Sequence, residues 1–308
     1  MGEYAFLFPG QGSQFVGMGK TLAGEFPETR EIFDLADEVM GHPLSEICFE
    51  GPEETLRETR YTQPGILTVS LALWKLMDAK GVRPGIVAGH SLGEYSALVA
   101  AGALEARDAI AAVKRRAELM FEAGVNWPGA MAAVLGLGEG EVAQVCREAE
   151  EAGVVVPANF NGPGQIVISG EVPAVERAME IASERGAKRV LRLPVSGAFH
   201  SPLMGEAARG LEEALRGTPF RDAEVPVVVN VDAAPLVKAD DLRDALIRQL
   251  GGTVRWEESM RRIAEEGFTK AYEIGPGRVL KGLARKIVRD LDVTNVEDPE
   301  SFRQASAG

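Results

Sequence analysis

Ser91 is the residue of this sequence with the clearest chemical context. It is the central residue of the segment 89–93, GHSLG, which fits the pattern G-x-S-x-G. The apolar residues 86–88 before it predict a buried strand, and helical periodicity follows over about 92–102. A serine on a sharp strand-to-helix turn is the arrangement of a nucleophile elbow. The pattern therefore predicts a nucleophilic serine, and the alternative is a glycine-rich turn without chemistry.

A serine nucleophile needs a base, and the sequence offers three histidines. His90 adjoins the nucleophile, so we expect its side chain to point elsewhere. His42 stands before Pro43 in a predicted loop, where a solvated or capping role is expected. His200 is the best remaining candidate, with an ordinary loop histidine as the alternative. No acid is fixed as a third member, because 46 Asp and Glu residues give no unique choice, and a backbone carbonyl or an amide side chain could orient the imidazole instead.

The same turn predicts part of an oxyanion hole. The amide of Leu92 lies at the predicted start of a helix and would face an oxyanion that develops beside Ser91. The turn after the first predicted strand can supply a second amide, since the carboxyl ends of parallel strands meet at one crevice. Gln11 is the natural candidate in that turn.

The elements around these residues predict an α/β protein with a parallel sheet. Apolar runs predict strands at 4–8, 86–88, 227–231 and 270–274. Helical periodicity fills most of the intervals, at about 17–40, 64–80, 92–102, 106–123, 203–216, 239–250, 256–266 and 277–289. Such an alternation indicates a parallel sheet flanked by helices. We expect a frayed tail after about Asp298.

Residues 127–196 follow a different order. Strands are predicted at 130–135, 154–157, 165–169 and 189–193, with helices at 139–152 and 173–185. The order βαββαβ is that of a ferredoxin-like unit. We therefore predict a catalytic core of residues 1–126 and 197–308, into which a ferredoxin-like subdomain of residues 127–196 is inserted.

Composition limits the classes of function. A formal net charge of −13 argues against general attraction to nucleic acid or to anionic membranes. The cysteines Cys48 and Cys146 lie far apart and suggest neither a disulfide framework nor a zinc site. The amino terminus has no basic region followed by an apolar run, and no stretch approaches the length of a membrane span. We expect a cytoplasmic protein.

Six motifs, in order along nearly the whole chain, resemble those of the malonyl-CoA:acyl-carrier-protein transacylases and of polyketide synthase acyltransferase domains. They are residues 8–14 (FPGQGSQ), 89–95 (GHSLGEY), Arg116 with Met120, 159–165 (NFNGPGQ), 197–201 (GAFHS) and 273–277 (EIGPG). The resemblance implies an α/β-hydrolase-like core with an inserted ferredoxin-like subdomain. It also implies that Ser91 is the acylated nucleophile, His200 the base, and the amides of Gln11 and Leu92 the oxyanion hole, while Gln249 would help to orient His200 through its surroundings.

Two further residues take implied roles in substrate choice. Arg116 matches the arginine that holds the malonyl carboxylate in the family, and a guanidinium pairs bidentately with a carboxylate. Without the resemblance, Arg116 would belong to a solvated basic helix face. Phe199 resembles the pattern associated with malonyl over methylmalonyl selection, although a pocket discriminates one methyl group by only about 1–3 kcal/mol.

The expected partners are malonyl-CoA and an acidic acyl carrier protein. Arg278, Lys281 and Arg285 fall at spacings of three and four residues on one predicted helix face, with Arg289 beyond them. We expect this basic stripe, together with Lys114 and Arg115, to meet the carrier protein, and the alternative is a solvated helix face.

The resemblance implies a ping-pong transfer that requires no metal or redox cofactor, and we expect a monomer. Two rival functions stay open. A serine acyl hydrolase could use the same nucleophile and base to activate water. A non-catalytic carrier-protein-binding module is disfavoured by the presence of Ser91, His200 and Arg116 together.

Overall fold

The computed structural model describes residues 2–195 and 197–307. The strands, in chain order, are β1 (Tyr4–Phe8), β2 (Pro84–Gly89), β3 (Gly129–Leu135), β4 (Val155–Gly162), β5 (Gln165–Glu171), β6 (Arg189–Arg192), β7 (Val227–Val228), β8 (Pro235–Leu236), β9 (Lys270–Ile274) and β10 (Asp292–Val296). The helices are α1 (Lys20–Glu25), α2 (Pro27–Met40), α3 (Leu44–Glu50), α4 (Glu53–Arg57), α5 (Thr59–Ala79), α6 (Gly93–Ala100), α7 (Ala106–Asn126), α8 (Glu139–Ala149), α9 (Val172–Glu184), α10 (Gly205–Gly217), α11 (Ala239–Gln249), α12 (Trp256–Glu265), α13 (Val279–Ile287) and α14 (Pro299–Ala305).

A six-stranded sheet in the order β10-β9-β1-β2-β7-β8 forms the centre of the protein. Its neighbouring strands are parallel except for the β7 and β8 pair at one edge. On β1, Ala5 and Leu7 pack into one apolar layer while Phe6 and Phe8 pack into the other. Helices cover both faces, and this explains why β1 has no polar alternation in its sequence.

A second sheet of four antiparallel strands has the order β4-β5-β3-β6. Helices α8 and α9 pack on one face of it, in a separate apolar cluster. The predicted fold class, a parallel α/β core with a βαββαβ unit, is confirmed. Strands β3 to β6 lie between residues 129 and 192. The proposed division at residues 127 and 196 stays a prediction, and three of its end residues, Met1, Ser196 and Gly308, lie outside the described part of the chain.

Strand β4 connects the second sheet to the core through backbone hydrogen bonds. The amide of Phe160 donates to the carbonyl of Val254 at 2.9 Å, and the amide of Val254 donates to the carbonyl of Ala158 at 2.9 Å. A cleft remains between the two sheets, where β1 and β2 end. Within residues 2–195 and 197–307, no helix combines the length and apolar character needed to cross a bilayer.

Several predicted boundaries were wrong. The predicted helix over 17–40 is broken at Phe26, which ends α1 and precedes α2. Helix α5 begins at Thr59, five residues before the expected start, although Pro64 then falls inside it.

The expected frayed tail after Asp298 is also wrong. The side chain of Asp298 caps helix α14 by accepting from the amide of Ser301 at 2.8 Å. Phe302 is 2% exposed and packs edge-on against Phe26, with ring centroids 5.5 Å apart. The cap and one buried ring stabilise helix α14. Its few apolar residues show no clear periodicity, so the sequence pattern did not predict it.

Candidate active site

Ser91 lies on a tight turn between β2 and α6. Its φ of 50° is in the left-handed region, which is uncommon for residues other than glycine. A Cβ at position 89 would lie 1.9 Å from the carbonyl carbon of Gly93, and a Cβ at 93 would lie 2.1 Å from the oxygen of Phe8. Only glycine at these two positions lets α6 begin so close to β1 and β2. The turn has the strand, serine and helix arrangement of an elbow.

His200 contacts Ser91 directly. Its Nε2 lies 2.8 Å from the Oγ of Ser91, and its Nδ1 lies 3.0 Å from the carbonyl oxygen of Gln249 and 3.1 Å from that of Gly252. Because a carbonyl only accepts, Nδ1 must carry the hydrogen, and the lone pair of Nε2 faces the serine hydroxyl. Two backbone carbonyls therefore take the orienting position that an acid occupies in a Ser-His-Asp triad.

The environment keeps this imidazole neutral. Burial, and then the positive charge of Arg116, lower the pKa of His200 to about 3. Contacts with the carbonyls of Gln249 and Gly252 act in the opposite direction but are weaker causes. At neutral pH the ring is thus unprotonated and can accept the proton of Ser91.

Arg116, on helix α7, places a buried positive charge beside the nucleophile. The residue is 1% exposed, and its Nη2 donates to the Oγ of Ser91 and to the Oε1 of Gln249, each at 3.1 Å. Its Nη1 donates to the Oε1 of Gln63. Burial lowers the pKa of Arg116. Among residues 2–195 and 197–307, no carboxylate forms an ion pair with this guanidinium, so the site is suited to an acyl group that carries its own negative charge.

Two backbone amides are available beside Ser91. The amide of Leu92 precedes helix α6, and Gln11 follows β1. Neither amide donates to another residue within the described part of the chain. Gln11 is held through its side chain, whose Oε1 accepts from Thr59 at 3.1 Å. The two amides can therefore serve a negative oxygen that forms on a substrate.

A cavity of about 140 Å³ lies over these groups. Its lining residues are Gln11, His90, Ser91, Leu92, Arg116, Met120, Met131, Asn159, Asn161, Val167, Leu193, Val195, Phe199 and His200. The ring of Phe199 is 7% exposed and also lines an adjoining cavity of about 160 Å³. The polar groups thus face apolar side chains, of which Met131 and Val167 come from strands of the second sheet.

Three polar residues at the site were not singled out from the sequence. Gln63 accepts from Arg116, and it lies on α5 just before the expected helix start at about residue 64. Asn230 accepts from the amide of Ser91 at 2.7 Å, and Glu94 accepts from the amide of Asn230 at 3.0 Å. The predicted strand over 227–231 includes Asn230, but β7 ends at Val228. Asn230 therefore follows the carboxyl end of a parallel strand, where polar side chains reach the crevice, and the wrong strand boundary concealed this position.

Within the described residues, the side chains of the other two histidines form no hydrogen bond with Ser91. His90 points its Nε2 at the Oδ1 of Asn161, 2.7 Å away, as expected for a side chain directed elsewhere. His42 packs edge-on against Tyr61, with ring centroids 5.4 Å apart.

The predicted basic stripe is shorter than expected. Lys281 and Arg285 are exposed on helix α13, but Arg278 precedes the helix and Arg289 follows its end. Arg278 forms an ion pair with Glu297 at 2.7 Å. The spacing argument failed at both ends because it assumed a helix four residues longer.

Lys114 does not extend this stripe. Its Nζ donates to the carbonyls of Val39 and Met40, each at 3.1 Å, at the end of helix α2. A lysine at this place stabilises the last turn of a helix.

The fold and the site together define a class of enzyme that transfers acyl groups through a serine. Residues 5–301 match the family described as acyl transferase domain, and the chain belongs to this family.

Characterised relatives extend over the whole chain. The malonyl CoA-acyl carrier protein transacylase of Bacillus subtilis strain 168 is 49% identical over 99% of this chain and 96% of its own length. The enzyme of the same name from Escherichia coli K12 is 44% identical over 99% of both chains.

Solved structures agree with the fold. The malonyl-CoA:acyl carrier protein transacylase of Xanthomonas oryzae pv. oryzae superposes with a TM-score of 0.96 at 44% identity, over 100% of this chain and 98% of that one. A malonyl transacylase in complex with a type II polyketide acyl carrier protein superposes with a TM-score of 0.95 at 44% identity, over 99% of both chains.

Proposed function

We propose that this protein transfers a malonyl group from malonyl-CoA to the phosphopantetheine thiol of an acyl carrier protein, for fatty acid or polyketide synthesis. The observation that carries the proposal is the buried guanidinium of Arg116, 3.1 Å from the nucleophilic oxygen of Ser91 and without a carboxylate partner in the described residues. A malonyl group carries a carboxylate two bonds from its thioester carbonyl, so it can meet Arg116 while that carbonyl meets Ser91. The names of the relatives support the same substrate.

In the first half of the proposed reaction, His200 removes the proton of Ser91 through Nε2. Ser91 Oγ then attacks the thioester carbon, and the amides of Gln11 and Leu92 stabilise the negative oxygen of the tetrahedral intermediate. The intermediate collapses with cleavage of the C–S bond, and His200 returns the proton to the coenzyme A sulfur. The product is a malonyl ester on Ser91.

In the second half, the thiol of the carrier protein enters and gives its proton to His200. The thiolate attacks the ester, the same amides stabilise the second tetrahedral intermediate, and Ser91 regains its proton. Gln249 acts through its backbone carbonyl, which fixes the tautomer of His200. The steps need only groups of this chain and of its two substrates, and we propose no cofactor.

The test is intact-mass measurement of the protein after incubation with malonyl-CoA or acetyl-CoA, without carrier protein. We expect a malonyl adduct that is absent in Ser91→Ala. Arg116→Ala should lose the preference for malonyl, whereas Arg115→Ala, one residue earlier and exposed, should keep it. Rapid release of free malonate without an adduct would instead indicate a hydrolase, and neither adduct nor turnover would leave a binding module.

We also propose that the carrier protein docks on the surface formed by Lys281 and Arg285, with Arg278 at its edge. Helix α13 follows the carboxyl end of β9, and Gly277 lies against Ser13, two residues from Gln11. Arg278 and Lys281, at the start of α13, therefore stand near the end of the sheet where Ser91 lies, and Arg285 follows one turn further along the helix. An acidic carrier protein would be drawn to them in spite of the negative net charge.

Charge reversal tests this docking surface. Lys281→Glu with Arg285→Glu should raise the KM for carrier protein about tenfold and leave the KM for malonyl-CoA unchanged, since rim charges steer association. Arg83→Glu is the control, because Arg83 precedes β2 and so lies at the opposite end of the sheet from Ser91. Equal KM values for carrier protein in the wild type, the double variant and the control would rule out this docking surface.

A further inference from the structure

Glu94 is a buried carboxyl group that the transfer steps do not use. It is 1% exposed, in the first turn of α6. Its Oε2 accepts hydrogen bonds, while its Oε1 has no partner within the described part of the chain. Burial raises the pKa of Glu94 to about 7, against the weaker opposing effects of Gln249, Asn230 and Arg116. A buried carboxyl group with one unpartnered oxygen, two residues after Leu92 and its oxyanion-hole amide, calls for a functional explanation.

One link from Glu94 runs to Arg116 through the side chain of Gln249. The Nε2 of Gln249 donates to the Oε2 of Glu94 at 3.1 Å and to the carbonyl of Ser91 at 2.8 Å. The Oε1 of Gln249 accepts from Arg116 at 3.1 Å. An amide side chain has one donating and one accepting end. Because Glu94 and Ser91 occupy the donating end, the accepting end faces the guanidinium.

The other link runs to the nucleophile through Asn230. The amide of Asn230 donates to the same Oε2 of Glu94 at 3.0 Å, and the Oδ1 of Asn230 accepts from the amide of Ser91 at 2.7 Å. One carboxyl oxygen therefore reaches both the nucleophile and the selectivity residue, each through a single intervening residue.

We propose that Glu94 is a positioning residue for acyl transfer, which holds Arg116 in the orientation that receives the acyl carboxylate and holds Ser91 in the orientation that attacks. The inference rests on the proposed function, since it assigns the carboxylate-binding role to Arg116. Glu94 acts on the charge of Arg116 without touching it. The intervening amide of Gln249 keeps the two groups from forming an ion pair, so the guanidinium stays open to substrate.

The experiment measures kcat/KM for acylation of Ser91 by malonyl-CoA and by acetyl-CoA, using quenched-flow mass spectrometry, in Glu94→Ala and Glu94→Gln. In Glu94→Ala the malonyl value should fall about 30-fold and the malonyl-to-acetyl ratio about tenfold, because two buried donors lose their acceptor. Glu94→Gln keeps an accepting oxygen and should stay within about threefold of the wild type in both quantities.

The matched control is Glu273→Ala. Glu273 is also a fully buried carboxyl, and it accepts from the amides of Leu280 and Lys281 at the start of α13. This variant should lower the melting temperature without changing the malonyl-to-acetyl ratio. A purely structural role for Glu94 predicts the same behaviour for Glu94→Ala, and that result would overturn the proposal.

If Glu94→Ala does not fold, Glu94→Asp decides the question, because it keeps the charge but withdraws the acceptor by one methylene. Its malonyl-to-acetyl ratio should fall at least about threefold, and an unchanged ratio would overturn the proposal. Failure of the proposed function would show differently, as a wild-type protein that forms no malonyl adduct at all.

Discussion

Replacement of Asn230 by alanine should remove the hydrogen bonds that hold Ser91 in its strained backbone conformation. The Oδ1 of Asn230 accepts from the amide of Ser91, and its Nδ2 donates to the carbonyl of Gly89, both at 2.7 Å. Asn230 is fully buried, so each group left without a partner costs about 1–3 kcal/mol. We expect the free energy of unfolding to fall by about 2–6 kcal/mol, the sum of the two.

The effect on activity follows from the backbone of Ser91. A left-handed conformation costs about 1–3 kcal/mol and persists only when its surroundings enforce it. Without Asn230, the φ of 50° at Ser91 should relax and move Oγ away from His200. A displacement of about 1 Å in a reacting group costs about 100-fold in rate. We therefore expect the acylation rate with malonyl-CoA to fall by about two orders of magnitude.

The assay combines urea unfolding with quenched-flow acylation at a temperature where the variant is folded. Asn295→Ala is the control, because Asn295 also donates from its side-chain amide to a carbonyl, that of Gly277 at 2.6 Å, but on strand β10. The control should lose stability and keep its acylation rate. A destabilised Asn230→Ala protein that is acylated as fast as the control would refute the argument.

Two further predictions concern Phe199 and His200. Phe199→Ala should raise the ratio of methylmalonyl to malonyl transfer about 5- to 150-fold in a competition assay. The buried ring lines the cavity over Ser91, and such a pocket discriminates one methyl group by about 1–3 kcal/mol of binding free energy. An unchanged ratio would show that the ring does not border the acyl site. The pKa of His200 is lowered from 6.5 to about 3 in the folded protein, so its contribution to stability is complete above pH 6.5 and is lost as the pH falls toward 3. His200→Gln should therefore lose less stability than the wild type between pH 6.5 and 4, measured by urea unfolding. Equal losses of unfolding free energy in the two proteins would contradict the lowered pKa of His200.

Much of the fold could be predicted because it depends on local patterns. The parallel strands are short apolar runs, and the order βαββαβ over residues 130–193 gives the second sheet directly. The failures have local causes as well. The helix expected from about residue 64 begins at Thr59 and contains Pro64, although proline is unfavourable beyond the first helical turn. The segment around Phe302 was missed because its stability comes from a cap and from contact with a distant ring.

The residues of the candidate site differ in how well the sequence alone could predict them. Ser91 could be found from its spacing and flanking elements, and His200 by comparing the three histidines. Arg116 could not, because a basic residue on an amphipathic helix resembles any solvated cation until its burial is known. Asn230 and Glu94 were missed for a related reason. Their contacts join residues 136 to 139 positions apart, and no periodicity in the sequence reports which strand end meets which helix.

The absence of an acid beside His200, within the described residues, fits the role in substrate selection that we propose for Arg116. A carboxylate at Nδ1 would offer the nearby guanidinium an internal partner and would compete with the acyl carboxylate. The carbonyls of Gln249 and Gly252 fix the same tautomer without charge, and the side-chain amide of Gln249 separates Glu94 from Arg116.

The positive charge of Arg116 also lowers the pKa of His200. When a malonyl carboxylate pairs with Arg116, that effect is offset, and the base becomes stronger. An acetyl group cannot do this, so we infer that the same contact that selects the acyl group also activates the base.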